Sequence, residues 1–117
     1  MERSPLLLLS VFGLALLPVS AQSISAADAK KHVGEKATVC GKVADERTVT
    51  TSKEEPTFIN LDAPYPHQIF TIVVWGEDKL AVGKLPTPGS HVCILGLIEE
   101  YRGVPEIKVW TRSQFLR

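Results

Sequence analysis

Alternating hydrophobic and polar residues mark out five short strands in this chain. From Glu106 to Trp110, Ile107 and Val109 fall on one face and Glu106, Lys108 and Trp110 on the other. That period of two predicts a strand with one buried and one wet side. The apolar run Val92 to Ile98 comes before it. The interval Tyr101-Arg102-Gly103-Val104-Pro105 between them is short and carries glycine, so the two runs predict an antiparallel hairpin. Pro105 suits the start of the second strand, where no ladder N–H is required. Upstream, the run Lys36 to Asp45 sets Val39, Gly41 and Val43 against Thr38, Cys40 and Lys42. Gly41 inside that strand predicts a bulge or sharp bend. Thr57 to Leu61 is the second strand. Gln68 to Trp75 is the third, with Phe70, Ile72 and Val74 opposite Thr71, Val73 and Trp75.

The connections carry their own signals. Ser25 is placed to cap a short helix from Ala26 to about Val33, with Asp28 favouring its N-terminus and Gly34 as the stop. Residues 46–56 form a polar loop, long for a hairpin, which marks it as mobile or functional. Residues 62–67 make a turn pinned by Pro64 and Pro66. Glu77 to Val82 suits one or two helical turns, and Gly83 to Ser90 is a connector. In the tail, Thr111 to Arg117, Phe115 and Leu116 pack back on the domain. The expected fold is all-β: five strands, the first strongly bent, curl into a small closed barrel, since closure removes exposed edges. A short N-terminal helix and a helical turn between the third and fourth strands complete it.

Residues 1–21 read as a leader rather than as part of that domain. Arg3 gives a positive start, Leu6 to Leu17 is almost wholly apolar, Pro18 breaks any helix, and Val19-Ser20-Ala21 fits a small-x-small cleavage site. The apolar run is too short to span a bilayer. The expected product is an exported domain, residues 22–117, periplasmic or extracellular, with no stable membrane insertion after cleavage. Setting the leader aside removes one acid and one base from 13 of each, so the net charge stays at zero. A protein built to grip a phosphate backbone usually carries a basic surplus. Polyanion binding by this chain therefore needs a local patch and is expected to be salt-sensitive.

Several segments together resemble a known group. Val39-Cys40-Gly41-Lys42-Val43, Thr57-Phe58-Ile59-Asn60-Leu61, Tyr65-Pro66, Phe70 to Trp75, Val92-Cys93, Gly96, Ile98-Glu99, and Tyr101-Arg102-Gly103-Val104-Pro105-Glu106-Ile107 resemble small exported bacterial OB-fold proteins. Related domains in that group are fused to staphylococcal-type nucleases. The Tyr-x-Gly-x-x-x-Ile hairpin is similar to that of anticodon-binding-type OB domains. The resemblance implies a five-stranded Greek-key OB barrel that binds single-stranded nucleic acid or another extended polyanion. It places the ligand across the second and third strands, between the loops that flank them. The residues so implied are Arg47, Lys53, Phe58, Asn60, Thr71, Val73, Trp75, Tyr101 and Arg102, with aromatics to stack on bases and cations to meet phosphates. Glu54-Glu55 and Glu99-Glu100 lie in the same two loops and oppose such a ligand. In an OB barrel the first and fourth strands are antiparallel neighbours. Cys40 and Cys93 are then either a disulfide, which export permits, or two small buried thiols. A third reading joins them to His91 as soft metal ligands, but no Cys-x-x-Cys or His-x-x-x-His spacing supports it.

Catalytic chemistry has little to stand on. His32 and His67 read as solvated or capping residues. Trp75 and Trp110 are stacking platforms or ordinary packing residues. The acids come mainly as loop pairs, and the sequence holds no Gly-rich phosphate loop and no Gly-x-Ser-x-Gly. The expectation is a monomeric binding module without catalysis, cofactor or resident metal. Two other roles remain open: a structural or protein-interaction module of the cell envelope, and a periplasmic carrier of a small ligand or metal.

Overall fold

The computed structural model describes residues 23–116; the leader expectation lies outside them. The spine is a long strand, β2 (Lys36–Thr48). Three others pair with it: β1 (Ser23–Ser25) in parallel, β5 (His91–Leu97) antiparallel along its first half, and β3 (Thr57–Leu61) antiparallel along its second. β3 pairs antiparallel with β4 (Phe70–Val74), and β4 pairs in parallel with β7 (Val104–Val109). A three-residue strand, β6 (Glu99–Tyr101), closes the hairpin with β7, and β8 (Phe115–Leu116) lines the other side of β5. The result is one curled sheet in the order β6-β7-β4-β3-β2-β5-β8, with β1 beside β2.

Several features differ from the sequence expectations, among them the third strand, which is Phe70–Val74 rather than Gln68–Trp75. The polar lead, Ser23–Ser25, is a strand. The first long strand runs on to Thr48, three residues beyond Asp45. Its irregularity falls between Val43 and Asp45 rather than at Gly41. Gly41 serves close approach instead: a Cβ there would sit 3.0 Å from Asp62 Oδ1 and 3.3 Å from the Ala26 methyl. The expected N-terminal helix is a 3-10 helix, Ala26–Lys31, capped by Ser25, whose Oγ accepts from the Asp28 N–H at 3.2 Å. The helical insert is where it was expected, as a 3-10 turn (Gly76–Asp78) leading into α1 (Lys79–Val82).

The period of two decides the core. Ile59, Leu61, Phe70, Ile72, Val74, Ile107 and Val109 point inward and are buried, with Ala26, Ala29 and Val82 added by the helical pieces. Closure of the sheet is only partial. Among the described residues no ladder joins β5 to β7. The seam is bridged instead by the side chain of Gln114, whose Nε2 donates to the Leu95 carbonyl at 2.9 Å and to the Lys108 carbonyl at 3.2 Å. Gly96 permits that approach, because a Cβ there would stand 2.6 Å from Ile107 Cγ2. Gly96→Ala should therefore cost about 2 kcal/mol through overpacking, read as a shift in the urea midpoint at unchanged slope.

Cys40 and Cys93 are direct register partners across β2 and β5 and are joined as a disulfide. The bond occupies both sulfurs, so the three-ligand metal reading with His91 fails. Among the described residues no cluster of His, Cys, Asp or Glu could hold a metal ion, and no helix is long and apolar enough to cross a membrane.

Candidate functional site

The outer face of the sheet carries a transverse polar row. Ladder register aligns Asp45 on β2 with Asn60 on β3, Thr71 on β4, Glu106 on β7 and Glu99 on β6. The next row aligns Arg47, Phe58, Val73 and Lys108. The first row is knitted together. Asn60 Nδ2 donates to Asp45 Oδ1 at 2.7 Å, and Thr71 Oγ donates to Asn60 Oδ1 at 3.1 Å. Asp45 Oδ2 also accepts the Tyr65 backbone N–H at 3.2 Å, which ties the turn after β3 to the sheet. Asn60 and Thr71 are buried. They form a rigid floor whose hydrogen-bonding capacity is largely spent internally.

Two arginine–tyrosine pairs stand over this floor. Arg47 lies 5.1 Å from the Tyr65 ring centroid and Arg102 lies 5.2 Å from that of Tyr101, within cation–π range. The two tyrosines are 56% and 59% exposed, so each offers aromatic surface to a ligand. Tyr65 precedes a cis peptide bond to Pro66. Arg102 and Gly103 both have positive φ, 51° and 83°, and link Tyr101 to Val104 as a two-residue hairpin turn of the kind antiparallel strands prefer. The strand therefore resumes at Val104, and Pro105 sits second in it, opposite Glu100. Floor and rims enclose a concavity of about 330 Å³.

Glu106 also lines that concavity. Partial burial raises its pKa above the usual carboxylate range; Lys108 opposes the rise and Glu99 adds to it. Lys108 turns its ammonium to Glu99 at 3.5 Å. Gln68, another lining residue, keeps a buried Oε1 with no hydrogen-bond partner among the described residues.

Of the residues implied by sequence, Arg47, Phe58, Asn60, Thr71, Tyr101 and Arg102 line this one concavity. Val73 shares the face but is 2% exposed and is not among the residues lining the concavity. Lys53 and Trp75 lie elsewhere, in a second depression with Glu54, Glu55, Gly76 and Glu77. Three glutamates and one lysine line it, a poor charge balance for phosphate. The loop that brings them together is pinned rather than loose: the Gly76 N–H donates to the Glu54 carbonyl at 2.8 Å and the Val49 N–H to the Pro56 carbonyl at 2.9 Å. His32 bonds Glu35 through Nδ1 at 2.9 Å, and His67 is exposed in its turn. Sequence reasoning missed Asp45, Tyr65, Gln68 and Glu106 as site groups. For Asp45 and Glu106 the only signal was parity, Asp45 with Arg47 and Glu106 with Lys108, and parity cannot say which strands lie side by side.

No protein-family model matches the chain, and no curated protein sequence matches it. Solved structures do share its shape. A protein from Leishmania major Friedlin described as an aspartyl-tRNA synthetase aligns at TM-score 0.52 and 13% identity over 81% of this chain, which spans only 21% of that protein. A lipoprotein from Klebsiella pneumoniae subsp. pneumoniae MGH 78578, described as nucleic acid-binding, aligns at TM-score 0.50 and 14% identity over 86% of this chain and 95% of its own. At these identities the likeness is one of fold: a mostly β, curled, OB-like sheet.

Proposed function

We propose that this chain is an exported OB-type module that binds single-stranded nucleic acid on the outer face of β3, β4 and β7, without catalysis. In this reading the curled sheet works as a five-stranded barrel whose β5–β7 seam is bridged by a side chain. The observation that carries it is the pair of arginine–tyrosine rims over a rigid polar floor. Exposed rings offer stacking surfaces and the guanidinium groups offer phosphate contacts. The zero net charge leaves room for a local basic patch. Arginines stand at the exposed rim, while Asp45 is bound to Asn60 and Tyr65 below. The disulfide supports export to an oxidising compartment, and the lipoprotein of similar fold, described as nucleic acid-binding, supports the ligand class by analogy alone.

Titration of a short oligonucleotide at low and moderate salt tests this. Affinity should fall with salt at about −0.7 in log K per log salt for each phosphate neutralised. Arg47→Ala combined with Arg102→Asn should weaken binding at least tenfold and flatten that slope by about 1.4. Asparagine is chosen at 102 because the position has φ 51°. Trp75→Ala should leave binding within about twofold, since Trp75 faces the acidic depression. No binding at either salt would overturn the proposal.

A further inference from the structure

The groups that the concavity leaves open differ in kind between rim and floor. At the rim they are donors, the guanidinium groups of Arg47 and Arg102. On the floor they are acceptors. Asn60 is bonded at both ends of its amide, Thr71 Oγ gives its proton to Asn60, and Asp45 is held by Asn60 and the Tyr65 N–H. Lys108 is drawn to Glu99. What remains among the described acidic groups lining it is the Glu106 carboxylate. An ionised carboxylate has no proton to offer. It is matched by a ligand with two adjacent N–H donors in one plane.

Among the four bases, one edge has that pattern. Guanine presents N1–H and the 2-amino group side by side. Adenine and cytosine each present a single amino group next to a ring nitrogen whose lone pair would face the carboxylate. Thymine and uracil present one N–H between two carbonyls. Single-stranded recognition reads these edges once a base is unstacked and laid on an aromatic ring, and Tyr65 and Tyr101 supply the rings. The concavity, about 330 Å³, is at the small end of ligand sites.

We propose that the concavity selects guanine, N1–H and the 2-amino group donating in parallel to the two carboxylate oxygens of Glu106 while the ring stacks on a flanking tyrosine. This rests on the nucleic-acid reading above and names the base that the same site prefers.

The test uses a labelled oligothymidine carrying one central variable base, followed by fluorescence anisotropy with the disulfide-bonded protein. With guanine in the centre, binding should be about tenfold tighter than with adenine or cytosine, as for a good bidentate contact. Inosine lacks the 2-amino group and should lose most of that advantage. Glu106→Gln should bring the guanine-to-adenine ratio close to one, whatever happens to overall affinity. The inosine comparison uses the unmodified protein, so it stands even where the variant folds poorly. Equal binding of guanine, adenine and inosine would overturn the inference and leave the nucleic-acid reading intact. Failure of every oligonucleotide to bind would overturn both. Guanosine monophosphate competing as well as the guanine oligonucleotide would uphold the guanine contact and overturn the single-strand reading.

Discussion

Replacing Cys40 and Cys93 together by alanine lowers the stability of this domain by about 4 kcal/mol, the chain-entropy value for the loop that the bond closes. The sequence separation of the two cysteines is 53 residues. The effect is large for a chain of this size, since whole domains carry only about 5–15 kcal/mol. The bond also lies where the fold needs it. It ties β2, the spine, to β5, the strand that stops short of a ladder with β7. A fall in Tm of roughly 20 °C follows at the sensitivity typical of small domains. Calorimetry of the double variant checks it; a loss of less than about 1 kcal/mol would show that the bond is incidental. Reduction of the native protein should give the same shift, which separates the lost cross-link from the lost side-chain packing.

The second large effect belongs to Gln114. The residue is 6% exposed and its side chain makes four hydrogen bonds to backbone groups. Oε1 accepts from the Trp110 and Thr111 N–H groups, and Nε2 donates to the Leu95 and Lys108 carbonyls across the β5–β7 seam. Gln114→Ala leaves these partners without their bonds. Each buried group so stranded costs about 1–3 kcal/mol, with water free to recover some of it; we expect a net loss of about 3 kcal/mol by urea denaturation. Gln114→Glu is the sharper test. A carboxylate keeps the two acceptor bonds but offers nothing to the two carbonyls, so it too should destabilise, and more at neutral pH than in acid, where the group regains a proton. Hydrogen exchange should show β5 and β7 amides losing protection while β3 and β4 keep theirs. Uniform change across the sheet would contradict the seam assignment.

Strand parity was the legible part of this protein. Phe70, Ile72 and Val74 separated cleanly from Thr71 and Val73 because a sheet with one core face enforces a period of two. The hairpin was legible as well, but its turn only coarsely: the interval 101–105 marks it, whereas the turn itself is Arg102-Gly103, both at positive φ, and Pro105 lies second in the strand. What could not be read was register across strands. Asp45 and Glu106 stand far apart in the chain, and only the ladders through Asn60 and Thr71 set them in one row. The resemblance places Lys53 and Trp75 in the site, but β4 ends at Val74, so Trp75 lies outside the strand, and the Gly76–Glu54 backbone bond sets both residues in a separate depression lined by three glutamates. Gly41 illustrates a similar ambiguity. A glycine in a strand marks either a bulge or a close neighbour, and nothing local distinguishes them. Gln114 was missed because a lone polar residue in a tail has no periodicity to betray it. The seam it bridges exists only once the sheet has curled.

The most direct test of the account is a backbone amide NMR titration with a guanine-containing single-stranded oligonucleotide at low salt. Shifts confined to residues around Arg47, Asn60, Tyr65, Thr71, Tyr101, Arg102 and Glu106, with Lys53, Trp75 and the Cys40–Cys93 region still, are the predicted result. Shifts centred on the Trp75 depression, or none on the outer face of β3, β4 and β7, would contradict it.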